Sequence, residues 1–207
     1  MISAVQTGDW ISPEGILMPE RVPTLFGRVQ IVSMADGDSG AFIGNEPLPR
    51  GGKWRGLWYD TLETAQGWMA TNICTFFGQT LVITQDRPVY GLTTEQDDYG
   101  RYLMDLVVEW RGVLNGVAEA MIASGSAVLY HGLRQDDDPL RYKGVKPKLL
   151  PTRNSPRGKR LAMLEEMARE SKFGLWAHDF VLPDLFRKIG RGELKKPPTW
   201  QEQLKGI

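Results

Sequence analysis

Short apolar runs separated by Gly and Pro make up the first 58 residues of the chain. The run Arg28–Ser33 (RVQIVS) is one of them, and Pro47, Pro49 and the pair Gly51–Gly52 follow it. Apolar runs of this length, bounded by turn-forming residues, are typical of β-strands. The pattern therefore predicts an irregular, β-rich N-terminal part.

Helical spacing begins after this part. Asp60, with Glu63 three residues later, has the pattern of a helix N-cap. Apolar residues then recur at helical spacing until Gly78, which is expected to end the helix. The residues beyond it predict two short strands, Thr80–Thr84 and Val89–Leu92.

The longest periodic pattern runs from about Thr93 to Ser124. Thr93 and Gln96 are spaced as a capping box, and one apolar stripe then continues for about eight turns. This pattern predicts a long central amphipathic helix with Trp110 in the core. The stripe consists of Tyr99, Tyr102, Leu103, Leu106, Val107, Trp110, Val113, Leu114, Val117, Ala120 and Met121.

The C-terminal third is expected to be mostly helical. Ala127–Tyr130 predicts a strand, residues 141–157 an extended loop, and residues 156–171 and 183–189 two helices. The predicted fold class is α+β, with an irregular β-rich N-terminal part, a long central amphipathic helix and a helical, basic C-terminal part.

Composition adds an uneven distribution of charge. Hydrophobic residues are 42% of the chain, enough to form a core, and the net charge is zero. Residues 1–140 nevertheless carry 9 Lys and Arg against 18 Asp and Glu, whereas residues 141–207 carry 16 against 7. We therefore predict an acidic α+β core domain over residues 1–140 and a basic loop and helical region over residues 141–207.

The basic excess is concentrated between Arg141 and Arg160, where the chain has eight cations and no acidic residue. A line of cations on an extended, Pro-broken backbone can follow a phosphate backbone. Cations in the first turn of a helix also favour an anion there. The run could instead dock on the acidic half of the same chain. The predicted nucleic-acid-binding residues are Arg141, Lys143, Lys146, Lys148, Arg153, Arg157, Lys159 and Arg160.

Ser39 stands in the tetrapeptide GDSG, which also surrounds the nucleophilic serine of trypsin-like proteases. That chemistry requires a histidine within hydrogen-bond reach of the serine. In those proteases the histidine precedes the serine, but no histidine occurs among the 38 residues before Ser39. Gly, Asp and Ser also favour tight turns, so the sequence predicts a turn.

The sequence has few residues suited to bind a metal, and we predict neither a metal site nor a cofactor. Cys74 is the only cysteine, and His131 and His178 are the only histidines, which excludes an intramolecular disulfide and disfavours a zinc site. Cys74 is expected to be a small buried hydrophobe. Asp136–Asp138 is interpreted as a solvated acidic turn, because three consecutive carboxylates cannot all face one ion.

No membrane partner is predicted. The most apolar stretch, Gly112–Tyr130, contains Asn115 and Glu119, and charge inside a bilayer is costly. The first 15 residues have neither a basic nor an apolar region of the signal-peptide kind. The expected location is therefore cytoplasmic.

These observations favour a non-catalytic, nucleic-acid-binding subunit of a larger nucleoprotein assembly, for example an RNA-guided effector complex. Other protein subunits would be its further partners. The alternative is a phage or other structural assembly protein that acts through protein–protein contacts. A third hypothesis is an enzyme built around His131 and the carboxylates Asp136–Asp138.

Overall fold

A closed five-stranded β-barrel forms the centre of the molecule. The computed structural model describes residues 25–130, 156–199 and 202–203. The barrel strands are β1 (Leu25–Asp36), β2 (Ser39–Gly44), β3 (Gly52–Gly56), β5 (Val89–Gln96) and β6 (Tyr102–Trp110). Three further strands are β4 (Tyr59–Asp60), β7 (Val113–Gly116) and β8 (Val128–Leu129).

Strand pairing closes the barrel through one parallel contact. The order is β3-β2-β1-β5-β6-β7, with antiparallel neighbours throughout. Strands β3 and β6 then pair in parallel, with Trp54 opposite Tyr102 and Gly56 opposite Met104. Strands β4 and β8 form a separate antiparallel pair beside the barrel.

The described residues contain four α-helices, which pack outside the barrel strands. They are α1 (Phe76–Val82), α2 (Val117–Ala123), α3 (Pro156–Glu170) and α4 (Pro183–Gly190). The 3-10 turns Thr64–Gln66 and Gly174–Ala177 precede α1 and α4, and a π-helical turn, Ala70–Thr75, runs directly into α1. No described helix is long and apolar enough to cross a membrane.

Side chains from the barrel and the helices share the main core. Trp54 and Met104 are fully buried inside the barrel, and Met121 of α2 and Leu161 of α3 pack in the same cluster. A smaller cluster around Cys74 and Leu175 joins the segment before α1 to the C-terminal helices. Cys74 is fully buried, as predicted, and burial raises the pKa of its thiol to about 12.

The mixed α+β content is confirmed. Strands occur where the runs Arg28–Ser33 and Val89–Leu92 predict them, and β8 lies within Ala127–Tyr130. Helices α3 and α4 match the predictions for residues 156–171 and 183–189.

The prediction of a long central helix is wrong. Residues 93–124 instead form the end of β5, all of β6 and β7, and the short helix α2. Val107 and Val108 are both buried, because β6 lines the barrel on one face and α2 packs against it. A strand covered on both faces loses its alternation of apolar and polar positions, and its pattern then resembles that of a helix.

The predicted elements over residues 60–84 are displaced. Asp60 lies in strand β4 and is not a helix N-cap, and the capping box joins Glu63 to Gln66 instead. Helical structure then continues through Gly78 to Val82, so the predicted strand Thr80–Thr84 is also wrong.

Candidate functional site

Five of the eight predicted nucleic-acid-binding residues lie outside the described part of the chain: Arg141, Lys143, Lys146, Lys148 and Arg153. His131 and Asp136–Asp138, the residues of the enzyme hypothesis, lie outside it too. The other three binding residues, Arg157, Lys159 and Arg160, occupy the first turn and a half of α3. The predicted boundary between residues 140 and 141 also falls in this stretch and stays a prediction.

Arg157 points into the protein and not toward solvent. Its guanidinium is bound by the buried carboxylate of Asp105 in β6, and its Nε lies 2.7 Å from Oε1 of Glu119 in α2. The same group lies over the ring of Trp58, at 4.9 Å from the ring centre. Arg157 is therefore an internal counter-charge that fixes the start of α3, and it is removed from the surface that a nucleic acid can reach.

The two carboxylates that pair with Arg157 explain why this cation can be buried. Burial tends to raise the pKa of Glu119, but its hydrogen bond and its attraction to Arg157 outweigh this and lower the pKa. Gly116, the last residue of β7 and the N-cap of α2, makes room for the pair, since a Cβ there would fall 1.9 Å from Glu119 Oε2 and 3.2 Å from Arg157 Nη2.

Several cations of the C-terminal part remain at the surface. Lys159 is exposed in the first turn of α3, and that turn contains no acidic residue. Other basic side chains pair locally, as Lys188 does with Asp184 at 2.7 Å. Within the described residues of the C-terminal part, the exposed lysines for which the structure shows no ion pair are Lys159, Lys172, Lys195 and Lys196.

A second ionic cluster, which we call the Asp38–Asp60 cluster, lies where the β1–β2 turn meets β3 and β4. Asp38 and Asp60 are each 1% exposed. Nη2 of Arg55 in β3 lies 3.2 Å from Oδ2 of Asp38 and 2.7 Å from Oδ1 of Asp60. The backbone N–H of Thr61 also donates to Asp38, at 3.3 Å. One arginine thus joins two buried carboxylates.

Arg187 of α4 completes this cluster from the outside. Its Nη1 donates to Oδ1 of Asp60 at 3.0 Å and to Oε1 of Glu63 at 2.8 Å, and its Nη2 also binds Asp60. Arg187 and Glu63 lie at the solvent-exposed rim of the cluster, where their side chains are 25% and 30% exposed. The C-terminal part therefore docks on the acidic part through Arg157 and Arg187, of which Arg157 belongs to the basic run of residues 141–160.

The two aspartates hold protons differently. Burial raises the pKa of Asp38 well above its usual value, and Arg55 offsets only part of this effect. Burial also acts on Asp60, but the hydrogen bond from Arg187, the charge of Arg55 and a hydrogen bond with Asp38 together lower its pKa. Asp38 is therefore the more readily protonated of the two carboxyls, because Asp60 has the closer arginine contacts.

Ser39 lies directly after the two-residue turn of the β1–β2 hairpin, as a turn-forming GDSG requires. Its hydroxyl donates to Oδ1 of Asp36, across the hairpin. The ring of His178 packs edge-to-face against the ring of Trp68, with 5.2 Å between the ring centres. The described residues show no contact between His178 and Ser39. In the described ranges no group of three His, Cys, Asp or Glu side chains is arranged to hold a metal ion.

Asp38, Arg55 and Asp60 were not predicted as a site, although the sequence contains a usable signal for the two acids. Asp60 is the last residue of the run LWYD, in which a charged residue ends an apolar strand, and Asp38 is the second acid of a tight turn. Acidic residues of this kind are rarely fully buried without a partner. Their common partner, Arg55, could not be recognised because the β2–β3 pairing brings it there.

Comparison with known proteins adds little. No protein-family model matches the chain, and no curated protein matches it. Among solved structures, the extended Tudor domain of Drosophila melanogaster Tudor-SN (p100) matches with a TM-score of 0.39 and 9% identity, over 79% of this chain and 78% of that chain. A likeness at this level supports no conclusion about function.

Proposed function

We propose that this protein is a nucleic-acid-binding subunit of a larger nucleoprotein assembly and that it contacts phosphates through its basic C-terminal region. The observation that carries the proposal is the placement of Lys159. It is exposed at the end of a run of cations without an acidic residue, on a helix whose first turn Arg157 fixes to the barrel. An RNA-guided effector complex is one assembly that such a subunit would suit.

Anchoring matters because phosphate binding needs cations at defined positions. Arg157 is the ion-pair partner of both Asp105 and Glu119 and holds these carboxylates in the interior, turned toward itself and not toward the surface cations of α3. The positive end of the α3 dipole lies at the same place as Lys159, and both favour an anion there. The remaining cations of residues 141–160 would extend this contact along a strand.

The experiment measures binding of the full chain to labelled single strands and duplexes from about 50 to 200 mM salt. Replacing Arg153 and Lys159 together with Ala should weaken binding of unrelated sequences to a similar degree, since phosphates carry no sequence information. The slope of log K against log salt should flatten by about 0.7 per lost contact on single strands. The matched control is Arg50→Ala with Lys53→Ala, which removes the same charge from exposed positions on the barrel.

Two results would contradict the proposal. One is an equal loss of affinity in the control variant, which would indicate attraction without a site. The other is a wild type that binds neither RNA nor DNA at about 50 mM salt, where phosphate contacts are strong. The second result would favour the alternative of an assembly protein that acts through protein contacts.

A further inference from the structure

A cleft of about 420 Å³ lies between the end of α1 and strands β1, β2 and β5, away from α3 and α4. Its volume is within the range of about 300–1,000 Å³ that small-molecule sites occupy. Arg28 and Arg87 lie on its wall with one carboxylate, Asp86, so the lining carries a net positive charge.

Arg87 is held in place by an aromatic ring. Its guanidinium carbon lies 3.9 Å from the centre of the Trp110 ring, within the range of a cation–π contact. Trp110 itself is 50% exposed at the end of β6. A planar guanidinium fixed in this way loses little further freedom when it binds an anion, which favours a defined contact over diffuse attraction.

Gln85 contributes an unused polar atom to the same wall. Its Oε1 is buried and makes no hydrogen bond to any group in the described residues. A buried oxygen without a hydrogen-bond partner is unfavourable. A ligand with an N–H at this position would remove that cost.

The rest of the lining combines two further polar side chains, Gln30 and Asn45, with aliphatic ones. Ile43 and Ile83 both face the cleft, and they are 50% and 37% exposed. Exposed aliphatic walls favour a flat, apolar surface, whereas Arg28 and Arg87 favour a negative charge. A nucleotide combines these features, because its base has apolar faces and an N–H edge and its phosphate is anionic.

We infer that this cleft, lined by Arg28, Gln85, Arg87 and the two isoleucines, binds one nucleotide of the bound nucleic acid. The inference rests on the proposed function, which it deepens by assigning a second contact on the barrel. The phosphate lies against Arg28 and Arg87, and the base lies between Ile43 and Ile83 with its N–H edge toward Gln85.

The first test uses dAMP as the probe and the full-length protein. We expect dAMP to shift the NMR signals of the Gln85 side-chain amide and of Nε of Arg28 and Arg87. Inorganic phosphate at the same concentration should shift them less, because it cannot contact the apolar walls. Unchanged signals, or equal shifts with phosphate alone, would overturn the inference.

The second test measures affinity for dAMP and for a labelled single strand. Arg87→Ala and Gln85→Met should each weaken dAMP binding by about tenfold, the effect of one hydrogen bond or charged contact. Lys53→Ala, which removes an exposed charge outside the cleft, should leave it unchanged. Melting temperatures close to that of wild type would show that the variants fold, and Arg87→Lys gives a second, conservative comparison.

The two proposals fail separately. If single strands bind normally but neither dAMP nor the cleft variants show an effect, the cleft inference is wrong and the proposed function stands. If dAMP binds with the expected loss in Arg87→Ala while no polymer binds, the proposed function is wrong and the cleft stands.

Discussion

Arg187 of α4 and Asp60 of β4 are 127 positions apart in the chain and form a two-point ion pair. Asp60 is buried, whereas Arg187 reaches the rim of the cluster. The pair therefore links the last described helix to a strand beside the barrel. It also accounts for part of the apparent separation of charge along the sequence, because some of the basic C-terminal residues neutralise acids of the N-terminal part.

Replacing Arg187 with Ala should destabilise the protein. It leaves the ionised carboxylate of Asp60 buried with only Arg55 as its cationic partner, and breaking a buried pair by removing one member costs about 3 kcal/mol. Urea unfolding at pH 7 measures the change in the free energy of unfolding. Arg191→Ala is the control, since it removes an exposed cation one residue after α4 that pairs locally with exposed Glu193, and it should have little effect. Equal stability of the two variants would show that the Arg187 pair contributes nothing.

The stability of the wild type should depend on pH through Asp38. Because burial raises the folded pKa of Asp38, the unfolded carboxyl, with its ordinary value of about 3.9, loses its proton first as pH rises. The contribution of this group to stability therefore falls from about pH 4 upward until the raised folded pKa is passed. Asp38→Asn lacks this fall, so its stability relative to the wild type should increase over that range.

Asp60→Asn provides the opposite sign. The folded pKa of Asp60 is lowered, so its contribution is present above about pH 4 and is lost as pH falls through the folded pKa. The deficit of Asp60→Asn relative to the wild type should therefore shrink in acid. Chemical unfolding of both variants from pH 3 to pH 8 measures the two trends. A constant difference from wild type in either variant would contradict the assigned direction.

Removing Arg157 alone should be strongly destabilising, whereas removing the whole ionic cluster should not. Arg157→Ala leaves the carboxylate of Asp105, which is 3% exposed, without its cation, and we expect a loss of about 3–5 kcal/mol. In the triple variant Arg157→Met, Asp105→Leu and Glu119→Met, apolar side chains replace all three charges, and much of the stability should return. Lys159→Ala, exposed in the same turn, should change stability by less than about 0.5 kcal/mol. A triple variant as unstable as Arg157→Ala would contradict the ion-pair explanation.

The sequence predicts this fold best where an element is covered on one face or bounded by strong signals. Strand β1 and helices α3 and α4 are predicted from local pattern alone. Strand β6 is not, because its partners are β5, β3 and β7, and a run such as LVV, buried from both sides, has no period of its own. The pairs Tyr99–Gly100 and Arg111–Gly112 lie at the two turns that interrupt the predicted helix. The helix prediction followed the apolar spacing and ran through both of them.

The candidate sites divide in the same way. The cationic run is visible in the sequence, but the sequence does not show that Arg157 is buried and Lys159 exposed. That difference arises because α3 packs on β6 and α2 and directs the Arg157 side chain inward. The Asp38–Asp60 cluster and the cleft beside α1 each combine residues from separate strands. Their charges and distances depend on barrel closure, which no local pattern records.

The sequence predicts Trp110 in the protein core, but the structure indicates that this side chain contributes little to stability. Its ring is half exposed and makes a cation–π contact with Arg87, so Trp110→Ala should cost about 1 kcal/mol or less. Trp54 is fully buried within the barrel, and Trp54→Ala should cost about 3–5 kcal/mol. Thermal unfolding of the two variants tests the reversal directly. A larger loss for Trp110→Ala than for Trp54→Ala would place Trp110 back in a core.

The β6–β7 hairpin offers a stabilising substitution. Arg111 and Gly112 connect the strands with φ of 54° and 76°, so both central residues are left-handed, as in the turns that favour Asn-Gly. A non-glycine residue in this conformation is strained by roughly 1–2 kcal/mol, and Asn tolerates it better than Arg does. Arg111→Asn should therefore raise the free energy of unfolding by about 0.5–1 kcal/mol, whereas Gly112→Ala should lower it. Lys172, with φ of 53° after α3, allows the same exchange as a control, and Lys172→Asn should stabilise in the same direction. If Arg111→Asn destabilises the protein while Lys172→Asn does not, the Arg111 side chain makes contacts that outweigh its backbone strain.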